Sequence, residues 1–276
     1  MLSRRHWLGS TAALVLMATG AVDQLAAQGI FYDVGDSDPP TIRSESIGDS
    51  RVELVFPVSA PARPLGAVVF VMGVPDHASS LGPLMDLEHY QDWARIVAAE
   101  GHVGVLYSTN DPVLDLRELM EFIASEGPRL GIDPGRVALM AASANAPTAL
   151  HYVRSDNPLE PRALVVYYGL MPTPDGFQVE GLHQASTRSG FTLPGYGPDH
   201  AYPPDLPILA VRAGRDASAA LLASIDRFAE YALAENLHIR LMNYPGGQHS
   251  FDSRDDTMET RNVIEETLRF LGTHLN

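Results

Sequence analysis

Three residues in this chain could together carry one kind of chemistry. Ser143 sits in MAASANAP (140–147), Asp216 closes PILAVRAGRD (207–216), and His249 lies in YPGGQHSFD (244–252). A neutral serine hydroxyl is a weak nucleophile. An imidazole that takes its proton activates it, and a carboxylate beyond the ring orients the imidazole and stabilises its charged form. Each of the three follows a segment that reads as a strand: RVALMAA (136–142), PILAVRAG (207–214) and HIRLMNYPGG (238–247). A Ser, Asp, His set at three strand ends suits nucleophilic acyl transfer.

The elements that must position these residues alternate along the chain. RVELVFPV (51–58) alternates apolar and polar residues, as a half-exposed strand does. AVVFVM (67–72) is continuously apolar and β-branched, the pattern of a strand buried on both faces. Further strands read over 102–108, 136–143, 162–169, 207–214 and 238–247, helices read over 88–101, 114–131, 221–236 and 259–275, and 148–155 continues a helix. This alternation predicts an α/β fold with a mostly parallel central sheet and helices on both faces. Such a sheet places its site at the carboxyl ends of its strands. Residues 170–206, rich in Pro and Gly, read as a short lid-like excursion over the site, where Phe191, Tyr196 and Tyr202 offer apolar contact. Residues 29–48 read as a leader or an edge segment, which leaves 49–276 as the folded domain.

The stretch around Ser143 has the composition of a sharp strand-to-helix turn. Ala141 and Ala144 are small, as residues must be where strand and helix pass close to their neighbours. With a helix starting at Ala144, Pro147 is its fourth residue. The first four N–H groups of a helix lack internal partners, so a proline there forfeits no hydrogen bond.

Through the AASAN turn, the AGRD turn with Asp216 and the PGGQHSFD turn with His249, residues 50–275 resemble the α/β-hydrolase superfamily, in particular its dienelactone-hydrolase-like and esterase-like members. The resemblance implies an oxyanion hole made by the backbone N–H groups of Ala144 and Val74. It also makes Gly73, His77 and Asn145 candidate substrate contacts. The family pattern is G-x-S-x-G, where this chain has Ala141-Ala142-Ser143-Ala144-Asn145. The family often has His-Gly after the third strand, where this chain has Met72-Gly73. Dienelactone hydrolases proper use a cysteine nucleophile, which this chain does not possess.

Composition removes several alternatives. The 276 residues include no cysteine and no lysine, and all 19 basic residues are arginine. Disulfides, thiolate metal sites and a cysteine nucleophile are excluded. So are Schiff-base and pyridoxal-phosphate chemistry, a Ser–Lys dyad and a Walker-type loop, each of which needs the lysine amine. No cofactor is expected. A formal net charge of −15 makes nucleic acid a poor partner. Asp86, Glu88 and His89 straddle a helix start, where acids favour the dipole, and no HExxH-type spacing supports a metal.

Other polar residues compete for roles. Asp205 precedes its strand and so falls at the wrong end of the sheet. Asp252, three residues after His249, reads as the cap of a following turn. His102 and His238 open strands and read as structural. Two Gly-Asp-Ser stretches, 35–37 and 48–50, follow no strand.

The first 28 residues read as an export signal. Arg4 and Arg5 precede an uncharged run from Trp7 to Val22, and Ala26-Ala27 offers a cleavage point. The Arg pair followed by His6-Trp7-Leu8 resembles a twin-arginine signal, which implies a periplasmic or secreted protein. No later apolar segment reaches about 18 residues, so no membrane span is expected in the mature protein. The expected activity is an exported serine hydrolase acting on a small-molecule carboxylic ester through an acyl-enzyme, with lactones and peptides as open alternatives. A non-catalytic binding protein of the same fold is the reading from a different class. The sequence carries no sign of oligomeric state.

Overall fold

The computed structural model describes residues 29–33, 39–59, 63–79, 81–173, 194 and 201–276. Among these, eight strands form one sheet: β1 (Thr41–Ile47), β2 (Ser50–Phe56), β3 (Leu65–Val71), β4 (Val103–Tyr107), β5 (Ile132–Ala142), β6 (Ala163–Tyr167), β7 (Ile208–Ala213) and β8 (Ile239–Tyr244). The helices are α1 (Glu88–Ala99), α2 (Pro112–Leu130), α3 (Ala146–Tyr152), α4 (Ala219–Ala234), the short α5 (Phe251–Arg254) and α6 (Met258–Leu275). The sheet order is β1-β2-β4-β3-β5-β6-β7-β8. Pairing is antiparallel at β1–β2 and β2–β4 and parallel from β4–β3 through β7–β8.

Helices on both faces bury strands β3, β4 and β6 along their whole lengths. β3 is buried at every position, and its side chains enter two layers in turn, as the two-residue strand period requires. Ala67, Val69 and Val71 belong to the layer with α2, α3 and α4, which contribute Leu119, Ala149 and Phe228. Val68 and Phe70 belong to the layer with α1 and α6, which contribute Trp93, Val97 and Ile264. Local signals set the helix ends. Asp111 accepts from the Leu114 N–H at 3.2 Å, Pro112 takes the first helical position of α2, and Gly131 stops the helix with φ +90°.

Two readings sharpen at the strands. Within the segment read as a leader or an edge segment, residues 41–47 form β1, the edge strand of the sheet, paired with β2 along its whole length from Thr41–Phe56 to Ile47–Ser50. Most of β1 is exposed, so it has no buried face to write an alternation into the sequence. The Gly48-Asp49 pair is its hairpin turn, with Gly48 at φ +55°; a positive φ is what the first central residue of a tight hairpin needs. That gives the second Gly-Asp-Ser stretch a structural role, while the first lies outside the described residues. β5 begins four residues earlier than its apolar run, at Ile132. It passes through Pro134-Gly135 with a register shift against β3. Such a shift is how a strand accommodates residues that weaken it.

The export signal and most of the 170–206 excursion, including Phe191 and Tyr196, lie outside the described residues. Tyr202 is described and corrects one expectation. It is 2% exposed and packs edge-on against Phe228, ring centroids 5.4 Å apart, so it belongs to the core and offers no substrate contact. No helix among the described residues is long and apolar enough to cross a membrane.

Candidate active site

Ser143 follows the last residue of β5 with φ +56°, in the left-handed region. Residues Ser143–Asn145 make one tight 3₁₀ turn, and α3 starts at Ala146. A non-glycine residue persists there only when its surroundings hold it. Glycines let those surroundings close in. A Cβ on Gly73, after β3, would lie 3.3 Å from the Ser143 Cβ, and one on Gly169, after β6, would lie 2.5 Å from the Ala146 Cβ. The Leu170 N–H donates to the Ser143 carbonyl at 3.0 Å and ties the turn to the end of β6. Because α3 starts two residues later than its sequence suggested, Pro147 is in its first turn as the second residue rather than the fourth. Its missing N–H still forfeits no bond.

The three residues singled out by the sequence meet. Ser143 Oγ lies 2.8 Å from His249 Nε2, and His249 Nδ1 lies 2.6 Å from Asp216 Oδ2. With Nδ1–H donating to the carboxylate, Nε2 is the acceptor for the serine O–H. Asp216 is 7% exposed, and its other oxygen accepts from the Ser218 N–H at 2.8 Å. Ser218 in turn caps α4 through the Leu221 N–H, so the carboxylate is fixed to a helix start. The Asp216 and His249 loops interlock through backbone. The Arg215 N–H donates to Gly247 O at 2.7 Å and the Gly214 N–H to Tyr244 O at 2.8 Å. A Cβ on Gly214 would lie 2.7 Å from the Pro245 Cα. Asp205 is exposed at the amino end of β7, away from this junction.

The remaining candidates separate. Val74 and Ala144 are partly buried and pack in one small apolar cluster with Leu170 and Leu221. Among the described residues no backbone carbonyl accepts from the N–H of either. The Gly73 N–H donates to the Tyr90 phenol oxygen at 2.8 Å, so it is already engaged. His77 is exposed on the turn Asp76–Ala78. Asn145 is 1% exposed; its Oδ1 accepts from Thr148 Oγ1 at 2.6 Å, while its Nδ2 has no hydrogen-bond partner among the described residues. Asp86 and Glu88 pair with Arg51 and Arg95. No group of three or more His, Asp or Glu among the described residues could hold a metal ion.

Asp252 is the residue that sequence reasoning misplaced. It lies in α5 at 1% exposure and caps no turn. Its Oδ1 accepts from the Tyr168 O–H and its Oδ2 from the Trp93 Nε1–H, each at 2.8 Å, and His89 Nε2 stands 3.4 Å from Oδ2. The donors lie 84 and 159 residues away in the chain, so no local pattern could reveal them. Burial pushes the Tyr90 and Tyr168 phenols above their ordinary range, which keeps both protonated. Asp76, in the loop after β3, accepts from the Leu84 and Thr109 N–H groups at 3.0 and 2.9 Å, and burial raises its carboxyl from the ordinary value.

No family model matches the chain, and no curated protein matches it by sequence. Solved structures do match by shape. A bacterial heroin esterase is 16% identical with a TM-score of 0.68, over 97% of this chain and 93% of that one. The esterase Est2 from the Planctomycetes species Thermogutta terrifontis, solved with propionate bound, is 17% identical with a TM-score of 0.65, over 84% and 94%. Esterase B from Lactobacillus rhamnosis, inhibited by a tributyrin phosphonate, is 12% identical with a TM-score of 0.65, over 95% and 96%. A sheet that is parallel from β3 to β8, helices on both faces and this likeness along nearly all of its length give the chain the α/β-hydrolase fold.

Proposed function

We propose that this protein is a serine hydrolase that cleaves carboxylic esters of small molecules. The observation that carries the reading is the hydrogen-bonded line Ser143 Oγ–His249 Nε2–Asp216 Oδ2, at 2.8 and 2.6 Å, at the carboxyl ends of β5, β7 and β8. That several of the similar structures are esterases supports the ester as substrate class.

In the first half-reaction Ser143 Oγ attacks the ester carbonyl carbon while its proton passes to His249 Nε2. Asp216 stabilises the imidazolium that forms. The oxyanion takes hydrogen bonds from the Ala144 and Val74 N–H groups, which have no backbone acceptor among the described residues. Each such donor contributes about 2.7–4 kcal/mol in the transition state. His249 then protonates the leaving alkoxide oxygen and the C–O bond breaks, which leaves an acyl-Ser143 ester. Water, deprotonated by His249, attacks that ester, and the serine regains its proton as the acid departs. Lactones and peptides fit the same steps. The dienelactone-hydrolase-like placement rests on the sequence motifs, and export rests on residues 1–28.

The test is labelling with a fluorophosphonate followed by peptide mapping, together with turnover of a simple aryl ester. Modification at Ser143, and loss of labelling and turnover in His249→Ala, are the expected results. Folded protein that neither labels nor turns over would sink the reading in favour of a binding protein, and His249→Ala with undiminished turnover would remove His249 as the base.

A further inference from the structure

Among the described residues, four non-glycine residues have φ in the left-handed region: Ser143, Tyr168, Asn236 and Ser250. Asn236 follows the end of α4, where that conformation is ordinary. The other three follow β5, β6 and β8 around the Ser143–His249 pair. Ser143 presents the hydroxyl, and Ser250 turns the chain immediately after His249. Tyr168, at φ +37°, has no part in the steps above, although a bulky residue held there is unusual.

What the strained backbone places is a phenol ring against the imidazole. The Tyr168 and His249 ring centroids are 4.7 Å apart, with the planes tilted by 57°. The Tyr168 O–H is tied to Asp252 Oδ1 at 2.8 Å, and Asp252 is anchored in turn by Trp93 of α1. The ring is therefore held at both ends, by backbone and by a buried carboxylate.

We infer that Tyr168, backed by Asp252, is a positioning residue for His249: its ring seats the imidazole and stabilises the imidazolium that forms when Ser143 gives up its proton. This rests on the reading of His249 as the base. Aromatic faces attract cations, and a phenol whose proton is drawn toward a carboxylate has the more electron-rich ring. No bond forms or breaks at Tyr168, and its proton stays in place. The titratable groups gathered on this side of the site are Asp216 from the loop after β7, Tyr168 from the loop after β6, Asp252 from α5, and His89 and Tyr90 from α1.

The test compares kcat/KM against pH for an aryl ester in the wild type, Tyr168→Leu, Tyr168→Phe, Asp252→Asn and His249→Ala, each checked for folding by circular dichroism. Tyr168→Leu is expected to move the acid limb down by about half a pH unit and to lower the plateau about three- to five-fold through kcat, with KM held. Tyr168→Phe keeps the ring but loses the bond to Asp252. Asp252→Asn keeps a partner for Tyr168 but loses the charge. Both are expected to move the limb in the same direction by less. General loosening of the fold lowers the plateau without moving the limb, so a fixed limb in all folded variants overturns the inference, whatever the plateau does. If Tyr168→Leu does not fold, the other two variants decide by the same criterion. His249→Ala separates the two claims. Surviving turnover in it overturns the base and the inference together. Lost turnover beside unmoved limbs in the Tyr168 and Asp252 variants overturns the positioning role alone.

Discussion

Gly169→Ala probes how tightly the Ser143 turn is held. The added Cβ would stand 2.5 Å from the Ala146 Cβ and 2.6 Å from Val166 Cγ1. Carbon atoms in contact ordinarily stay about 3.5 Å or more apart, so the deficit is roughly 1 Å. The Ala146 Cβ has no torsion with which to turn aside, and Val166 is 1% exposed. The first turn of α3 must therefore retreat from the end of β6. Overpacking of this kind costs about 1–3 kcal/mol. Ser143 opens the 3₁₀ turn that leads into α3, and its carbonyl accepts from the Leu170 N–H, so it shifts too, and a misplacement of about 1 Å in a reacting group lowers turnover on the order of a hundredfold. The control is Gly66→Ala, at the amino end of β3, whose Cβ would lie 2.9 Å from Leu275 O. It is expected to lose comparable stability while keeping kcat. Urea unfolding followed by circular dichroism measures the first quantity, and aryl-ester kinetics the second. A Gly169→Ala protein as stable and as active as the wild type would refute the reasoning. So would equal loss of kcat in the Gly66 variant.

Two further outcomes follow from the same geometry. Asp216→Asn retains an acceptor for the Ser218 N–H but presents the wrong partner to His249 Nδ1, so steady-state kcat is expected to fall on the order of 10⁴-fold with the fold intact; a loss under about tenfold would remove Asp216 as the orienting group. Burial, with Arg136 nearby, lowers His102 from its ordinary value of 6.5. The unfolded chain therefore binds the proton first, and stability is expected to fall as pH drops from about 6.5 toward the folded value, with a slope of at most about 1.4 kcal/mol per pH unit. His102→Gln should flatten that slope in urea unfolding at pH 7 and pH 5.5; an unchanged slope would show that His102 does not cause it.

Much of the site was legible in the sequence because its parts sit at strand ends, and buried parallel strands write continuous apolar runs such as AVVFVM. The turn at Ser143 was legible from the small residues beside it and from Pro147. Three things were not. β1 has no buried face, so TIRSESI carries no pattern to read. Asn145 stands where the family pattern has glycine, and only its neighbour Thr148 and its 1% exposure show that it turns inward. Asp252 looks from its neighbours like any acid near a turn. Its partners Tyr168 and Trp93 reach it across the fold, and contacts between distant segments leave no mark on local composition.

The hydrogen bond between Ser143 and His249 joins residues 106 positions apart, and this has a kinetic consequence. A growing or refolding chain has Ser143 in place once β5 and α3 have formed, yet His249 arrives only after β7 has joined the sheet and β8 has docked on it. Contacts of such wide separation form slowly, because the intervening chain must be ordered before they reward it. Recovery of the proposed ester turnover after dilution from denaturant is therefore expected to trail the recovery of helical signal. The pairing of Ser143 with His249 marks the end of folding, when the last strand joins the sheet.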